Sequence, residues 1–194
     1  MRLHHLRPDE LDADQQALYE VLTEGPRKAV DPSVPVAVRM ADAEGRLQGP
    51  FNALLHHPAL GMAVQEVSRR LRFEGVLPGR AREVVILVVA ASQHSDFEWS
   101  AHAPIARALG ISEDAVATLA RGIVPELTDP VERAAAELAA ELVATGDVGD
   151  TTWDRVQPVL GDAGVVEVST TVGIYQLIAQ QLRVFRVPAP AGPW

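Results

Sequence analysis

Residues 163–185 run for more than 20 positions with no turn signal except Gly173, and this stretch limits the possible folds more than any other part of the chain. Its β-branched content (Val165, Val166, Val168, Thr170, Thr171, Val172, Ile174) favours strand by propensity. The uninterrupted length and the near-heptad spacing of Val165, Val168, Val172, Tyr175 and Leu182 favour helix instead. A long apolar helix near the C-terminus is therefore expected, and with it an all-α fold.

A second apolar stretch, residues 80–95, follows Pro78-Gly79 and contains the longest apolar run, Val84 to Ala91. Periodicity alone does not separate a buried strand from a buried helix there. Val84–Ala91 and Val165–Ile178 are apolar nearly all round, so each is expected either at the centre of the fold or against a partner subunit.

Helix punctuation is frequent elsewhere. Asp12 with Gln15 forms a capping-box pattern ahead of Leu18, Val21 and Leu22. Pro58 suits the first turn of a helix carrying Leu60, Val64, Val67 and Leu71. Ser112 caps a short helix ending at Gly122, and Asp129 with Glu132 gives a second capping box before the helix formers Ala134–Ala144. Between the first two helices, Pro26, Pro32, Pro35, Gly45, Gly49 and Pro50 leave no helical period. A loop of that length is expected to be a lid, an arm or an interface segment. The tail from Pro188 to Trp194 reads as irregular.

Composition excludes several functions. The 194 residues include no cysteine, which removes disulfides, thiolate metal sites, iron–sulfur ligation and thiol peroxidase chemistry from this chain. A net charge of −9 is a poor match to a phosphate backbone, so no nucleic-acid partner is expected. No apolar run approaches the roughly 20 residues of a membrane helix, and the first ten residues have no apolar core for a signal peptide. A cytoplasmic protein without a membrane partner is the expectation.

The densest polar cluster is Gln93 to His102. On one helix, His94, Glu98 and His102 fall at i, i+4 and i+8 and share a face. A carboxylate beside an imidazole favours the imidazolium and fixes the ring, as an acid/base pair requires. The plainer reading of such a pair is a solvated helix face. Three ligands spread over two turns, about 11 Å, are too far apart for one ion, so no metal is expected. Pro104 is expected to kink or restart the helix beside His102. The doublets His4-His5 and His56-His57 read as a mobile terminus and a turn. Glu83, at the head of the most apolar segment and just after Arg80 and Arg82, is either a first-turn acid on the helix dipole or a carboxylate at the edge of a buried pocket. Trp99 and Phe97 are packing residues or pocket walls.

Gly49-Pro50-Phe51-Asn52, His57-Pro58, Arg82 to Leu87, Phe97 to Ala106, Gly110-Ile111-Ser112-Glu113 and Gly173-Ile174-Tyr175 together resemble the carboxymuconolactone decarboxylase family, which includes the alkylhydroperoxidase D proteins. The resemblance covers about residues 45–187. It implies a single-domain helical bundle (49–187) behind an N-terminal helix and Pro-rich arm (1–48) and ahead of the tail (188–194). It also implies a homo-oligomer, trimer or hexamer, with sites near subunit interfaces. The family's peroxidase branch carries a glutamate, a Cys-x-x-Cys pair and a histidine four residues after the second cysteine. Here Glu83 and His102 match the glutamate and histidine, while Ser95 and Glu98 stand at the cysteine positions.

The function so implied is a cofactor-independent lyase or isomerase acting on a small lactone or carboxylate. His102 supplies the proton, Glu98 sets its protonation, and Glu83 is a second acid/base or orienting carboxylate. His94, Ser95, Trp99 and Arg82 bind substrate, with Arg80 or Arg82 as the cation for an anionic group. The alternative is a non-catalytic oligomeric small-molecule binding or scaffold protein.

Overall fold

A computed structural model describes residues 1–24 and 40–189. Among these residues the fold is all-α, with eight helices. They are α1 (Ala13–Glu24), α2 (Pro50–Leu55), α3 (Pro58–Phe73), α4 (Gly79–Ser92), α5 (Asp96–Ala108), α6 (Glu113–Ala120), α7 (Pro130–Thr145) and α8 (Asp150–Phe185). A 3-10 turn at Pro8–Glu10 precedes them, and an isolated bridge pairs Ala41 with Leu47. Most of the Pro-rich arm, residues 25–39, and residues 190–194 of the tail lie outside the described residues.

The open question over residues 80–95 resolves to helix. Seven consecutive residues of α4, Val84 to Ala90, are buried, and the helix packs against α5, α6, α7 and α8. A strand there would need ladder partners, which an all-helical surround does not offer. A helix satisfies its own backbone and can be wrapped on every side. At about 1.5–3 kcal/mol per fully buried Val, Leu or Ile side chain, α4 is the centre of the main core. A smaller cluster, Leu18, Leu22, Leu47, Leu54 and Leu55, joins α1 and α2 to the 40–48 segment.

The long terminal helix forms as expected and starts earlier, at Asp150. It bends at Gly161, whose φ of 65° and ψ of 170° are non-helical, three residues after Pro158. Its apolar surface is not enclosed: Val166 is 63% and Leu177 is 36% exposed. Of the two apolar segments, only α4 is buried all round within the chain, which leaves the partner-subunit alternative for α8.

Capping follows the sequence closely at three of four places. Asp12 and Gln15 exchange backbone-to-side-chain bonds at 3.0 and 2.8 Å, and Ser112 accepts from the Ala115 N–H. Asp129 accepts from Val131 and Glu132, but the Glu132 carboxylate does not complete a box. It is drawn instead to the Arg80 guanidinium on α4, because a buried carboxylate gains more from a cation than from an N–H. The N-terminus is also tied down rather than loose. Asn52, 1% exposed, accepts from the Leu6 N–H and donates to the His4 carbonyl, while His5 Nε2 lies 2.8 Å from the Leu47 carbonyl.

Candidate functional site

Glu83 is on the second turn of α4 and His102 is mid-way along α5, and packing of the two helices brings their side chains together. His102 donates its Nδ1–H to Glu83 Oε2 across 2.7 Å. The other ring nitrogen, Nε2, stands 3.6 Å from Glu98 Oε2, one turn earlier on α5. All three side chains are nearly sealed: Glu83 is 0%, Glu98 4% and His102 6% exposed. The ring of Tyr175 on α8 meets the imidazole edge-on, with centroids 5.2 Å apart at 84°. The imidazole is thus held between two carboxylates and against an aromatic ring.

Burial pushes the Glu83 carboxyl up, but the His102 charge and hydrogen bond, with Arg72 and Arg82 nearby, outweigh it and hold the group below its ordinary value of 4.5. Glu83 is therefore ionised at neutral pH. Its second oxygen, Oε1, and Arg82 Nε are buried without a hydrogen-bond partner, 3.9 Å from each other.

The expected common face of His94, Glu98 and His102 does not form. The chain leaves α4 at Gln93, turns through His94 with a φ of 48°, and starts α5 only at Asp96. His94 sits in the turn, exposed, and the residue that joins Glu98 and His102 at i, i+3, i+7 is Ser95. Glu83 is no first-turn acid exposed to solvent, and it, not Glu98, makes the close bond to His102. The helix does not restart at Pro104, because α5 continues through it to Ala108.

Trp99 belongs to the main core. Neither arginine expected to meet an anion stands ready for one. Arg80 is bound by Glu132 and the Leu109 carbonyl, and Arg82 donates to the Arg72 carbonyl. Among the described residues, no three His, Cys, Asp or Glu side chains are placed to hold a metal ion.

An open cleft of about 400 Å³ lies between the α4–α5 turn and the C-terminal end of α8, and Glu83, Glu98 and His102 do not themselves line it. His94, Ser95, Asp96 and Phe97 form one wall, and Arg183 and Arg186 stand on the other. Glu98 is one turn from cleft-lining Ser95 and one turn from His102, so α5 carries polar groups inward from the cleft to the buried Glu83. The two arginines and Tyr175 had no distinguishing signal as site residues in sequence, since they come from a helix some 70 to 90 positions away from α5. Gly49 supports the same wall. Its φ is 62°, and a Cβ there would come within 2.1 Å of Phe97 Cζ, so only glycine allows the chain to pass that ring.

An all-helical core with a glutamate on one helix facing a histidine on the next agrees with the sequence relationships. The model of the carboxymuconolactone decarboxylase family matches residues 58–141, which include Glu83, Glu98 and His102. Over this span the chain resembles that family. An uncharacterized peroxidase-related protein from Silicibacter sp. superposes with a TM-score of 0.73 at 15% identity, covering 98% of this chain and 92% of the other. A protein described as an alkylhydroperoxidase AhpD core, from Ralstonia eutropha, gives 0.72 at 18% identity, covering 97% and 92%. The debrominase Bmp8, solved with 2,3,4-tribromopyrrole, gives 0.67 at 10% identity, covering 92% and 87%. At such identities these structures share the fold. No curated protein matches the chain.

Proposed function

We propose that the protein is a cofactor-independent acid/base enzyme, a lyase or isomerase acting on a small lactone or carboxylate, with Glu83, His102 and Glu98 as its proton relay. The observation that carries this reading is the imidazole fixed between two buried carboxylates, one 2.7 Å and the other 3.6 Å away. Glu83, ionised, holds the Nδ1–H and so presents Nε2 to Glu98. Glu98 then passes a proton between the ring and a substrate carbon on the cleft side. In decarboxylation the C–C bond to the carboxylate breaks, carbon dioxide leaves, and the resulting enolate carbon takes that proton. In isomerisation the same relay removes a proton from one carbon and returns it to another. Such general acid/base steps contribute about 10²- to 10⁴-fold. Thiol peroxidase turnover has no nucleophile in this chain, since Ser95 and Glu98 occupy the positions where a thiol pair would stand.

Hydrogen–deuterium exchange at carbons next to a carbonyl tests the relay without knowledge of the physiological substrate. A panel of small lactones and keto acids in D₂O, followed by proton NMR, is expected to show exchange or decarboxylation with wild type and at least about 100-fold less with His102→Gln or Glu98→Gln. Absence of turnover across the panel, with ligands still bound, would favour the binding-protein reading.

A further inference from the structure

We infer that Arg186, Ser95 and the first-turn amides of α5 form a carboxylate-binding subsite in the cleft between the α4–α5 turn and the end of α8. The inference rests on the acid/base reading above for taking the bound anion to be the substrate. A substrate of that kind carries a negative charge, and the two arginines nearest Glu83 in sequence are engaged elsewhere. Arg186 is different. It is exposed, lines the cleft, and has neither an ion pair nor a side-chain hydrogen bond among the described residues. Arg183 stands beside it, tethered by two bonds to the Gln93 carbonyl and side chain at 2.8 and 2.9 Å.

Ser95 supplies the independent observation. It occupies the N-cap of α5, where a serine ordinarily closes the helix by accepting from an amide of the first turn. Here it makes no such bond, although the residue is only 6% exposed and lines the cleft. Its hydroxyl, open to the cleft and not spent on the helix, is left able to donate to or accept from a bound group. The amides it leaves uncapped are donors at the positive end of a 13-residue helix.

Neighbouring helix ends do not cancel this. The last carbonyls of α4 are taken by the N–H groups of Gln93, His94 and Ser95 and by Arg183. Those of α8 are taken by Arg186, Val187 and Arg2. Asp96 lies on the cleft as well, but two arginines face this one carboxylate, in a chain whose overall charge is −9. The only two non-glycine residues with positive φ among the described residues, His94 and Arg186, also both line this cleft.

Benzoate and its neutral counterpart benzamide are suitable probes, followed by ¹H–¹⁵N NMR titration. Benzoate is expected to shift the Asp96 and Phe97 amides saturably, and benzamide to bind at least about tenfold more weakly. Arg186→Gln and Ser95→Ala should each weaken benzoate about tenfold, while Arg121→Gln, which removes a charge outside the cleft lining, just after α6, should not. Lack of a saturable shift at those amides, equal binding of benzamide, or unchanged affinity in Arg186→Gln would overturn the subsite. Arg186-dependent benzoate binding with no proton exchange on any compound would uphold the subsite and remove the enzyme reading. Exchange that is indifferent to Arg186 would do the reverse.

Discussion

Glu83 and His102 are nineteen positions apart, on different helices, and meet at 2.7 Å inside a site where neither side chain is more than 8% exposed. A charge pair of this kind is stable only as a pair. Desolvation penalises each ion separately, and the bond between them, with Arg72 and Arg82 in support, offsets that penalty.

Removing the imidazole should therefore cost more than removing a typical surface contact. His102→Gln leaves an ionised carboxylate buried with weaker compensation, and a loss of about 3–5 kcal/mol is expected at pH 7. Burial then pushes the Glu83 carboxyl up, so the loss should shrink as the pH is lowered and Glu83 becomes neutral. Urea denaturation of both proteins at pH 7 and pH 5 measures the difference; a cost that is the same at both would contradict the buried-charge account.

The pH dependence of wild type has a defined sign. Glu83 is depressed in the folded protein, so its contribution to stability is present above 4.5 and is lost as the pH falls through the lower folded value. Glu83→Gln cannot titrate. The stability advantage of wild type over this variant should be flat from neutral pH down to about 5, then narrow below 4.5. Chemical denaturation across that range would show an advantage growing towards acid if the assignment were wrong.

Gly49→Ala is expected to destabilise the protein by about 1–3 kcal/mol, through strain at positive φ and overlap with the Phe97 ring. Because Phe97 lines the cleft, the same variant should weaken benzoate binding. A melting temperature equal to that of wild type would show that the 40–50 segment is not seated against α5 in this way.

Arg80 ties α4 to α7 through Glu132, whose side chain is 6% exposed, and also donates to the Leu109 carbonyl. Arg80→Ala should cost about 1–3 kcal/mol, mostly from the carboxylate left behind, discounted because the arginine is itself 41% exposed. Adding Glu132→Gln should restore part of that loss, since a neutral amide tolerates burial better. A double variant weaker than the sum of the two singles would oppose this account.

Local chemistry was legible in the sequence wherever it acts over one turn. The Asp12–Gln15 and Ser112 caps, the helix over 163–185 and the candidate Glu98–His102 pair are all spacing arguments, and the structure has each of them. The grouping of His94 with that pair failed because it assumed one helix, whereas α4 and α5 are separated at Gln93–Ser95. The Glu132 cap failed for a related reason, since a cation from a distant helix offered its carboxylate a stronger partner than the local N–H.

By itself, then, the sequence determined an all-helical chain, a family resemblance, the absence of cysteine, and which titratable side chains the chain carries. These follow from composition, from period and from side-chain type, which need no partner in space. Tertiary structure alone decided which carboxylate holds His102, which arginines are engaged, and that Ser95 and Arg186 share a cleft. Those outcomes depend on how α4, α5 and α8 pack, and a buried charge or hydroxyl takes whichever partner the packing brings within about 3 Å.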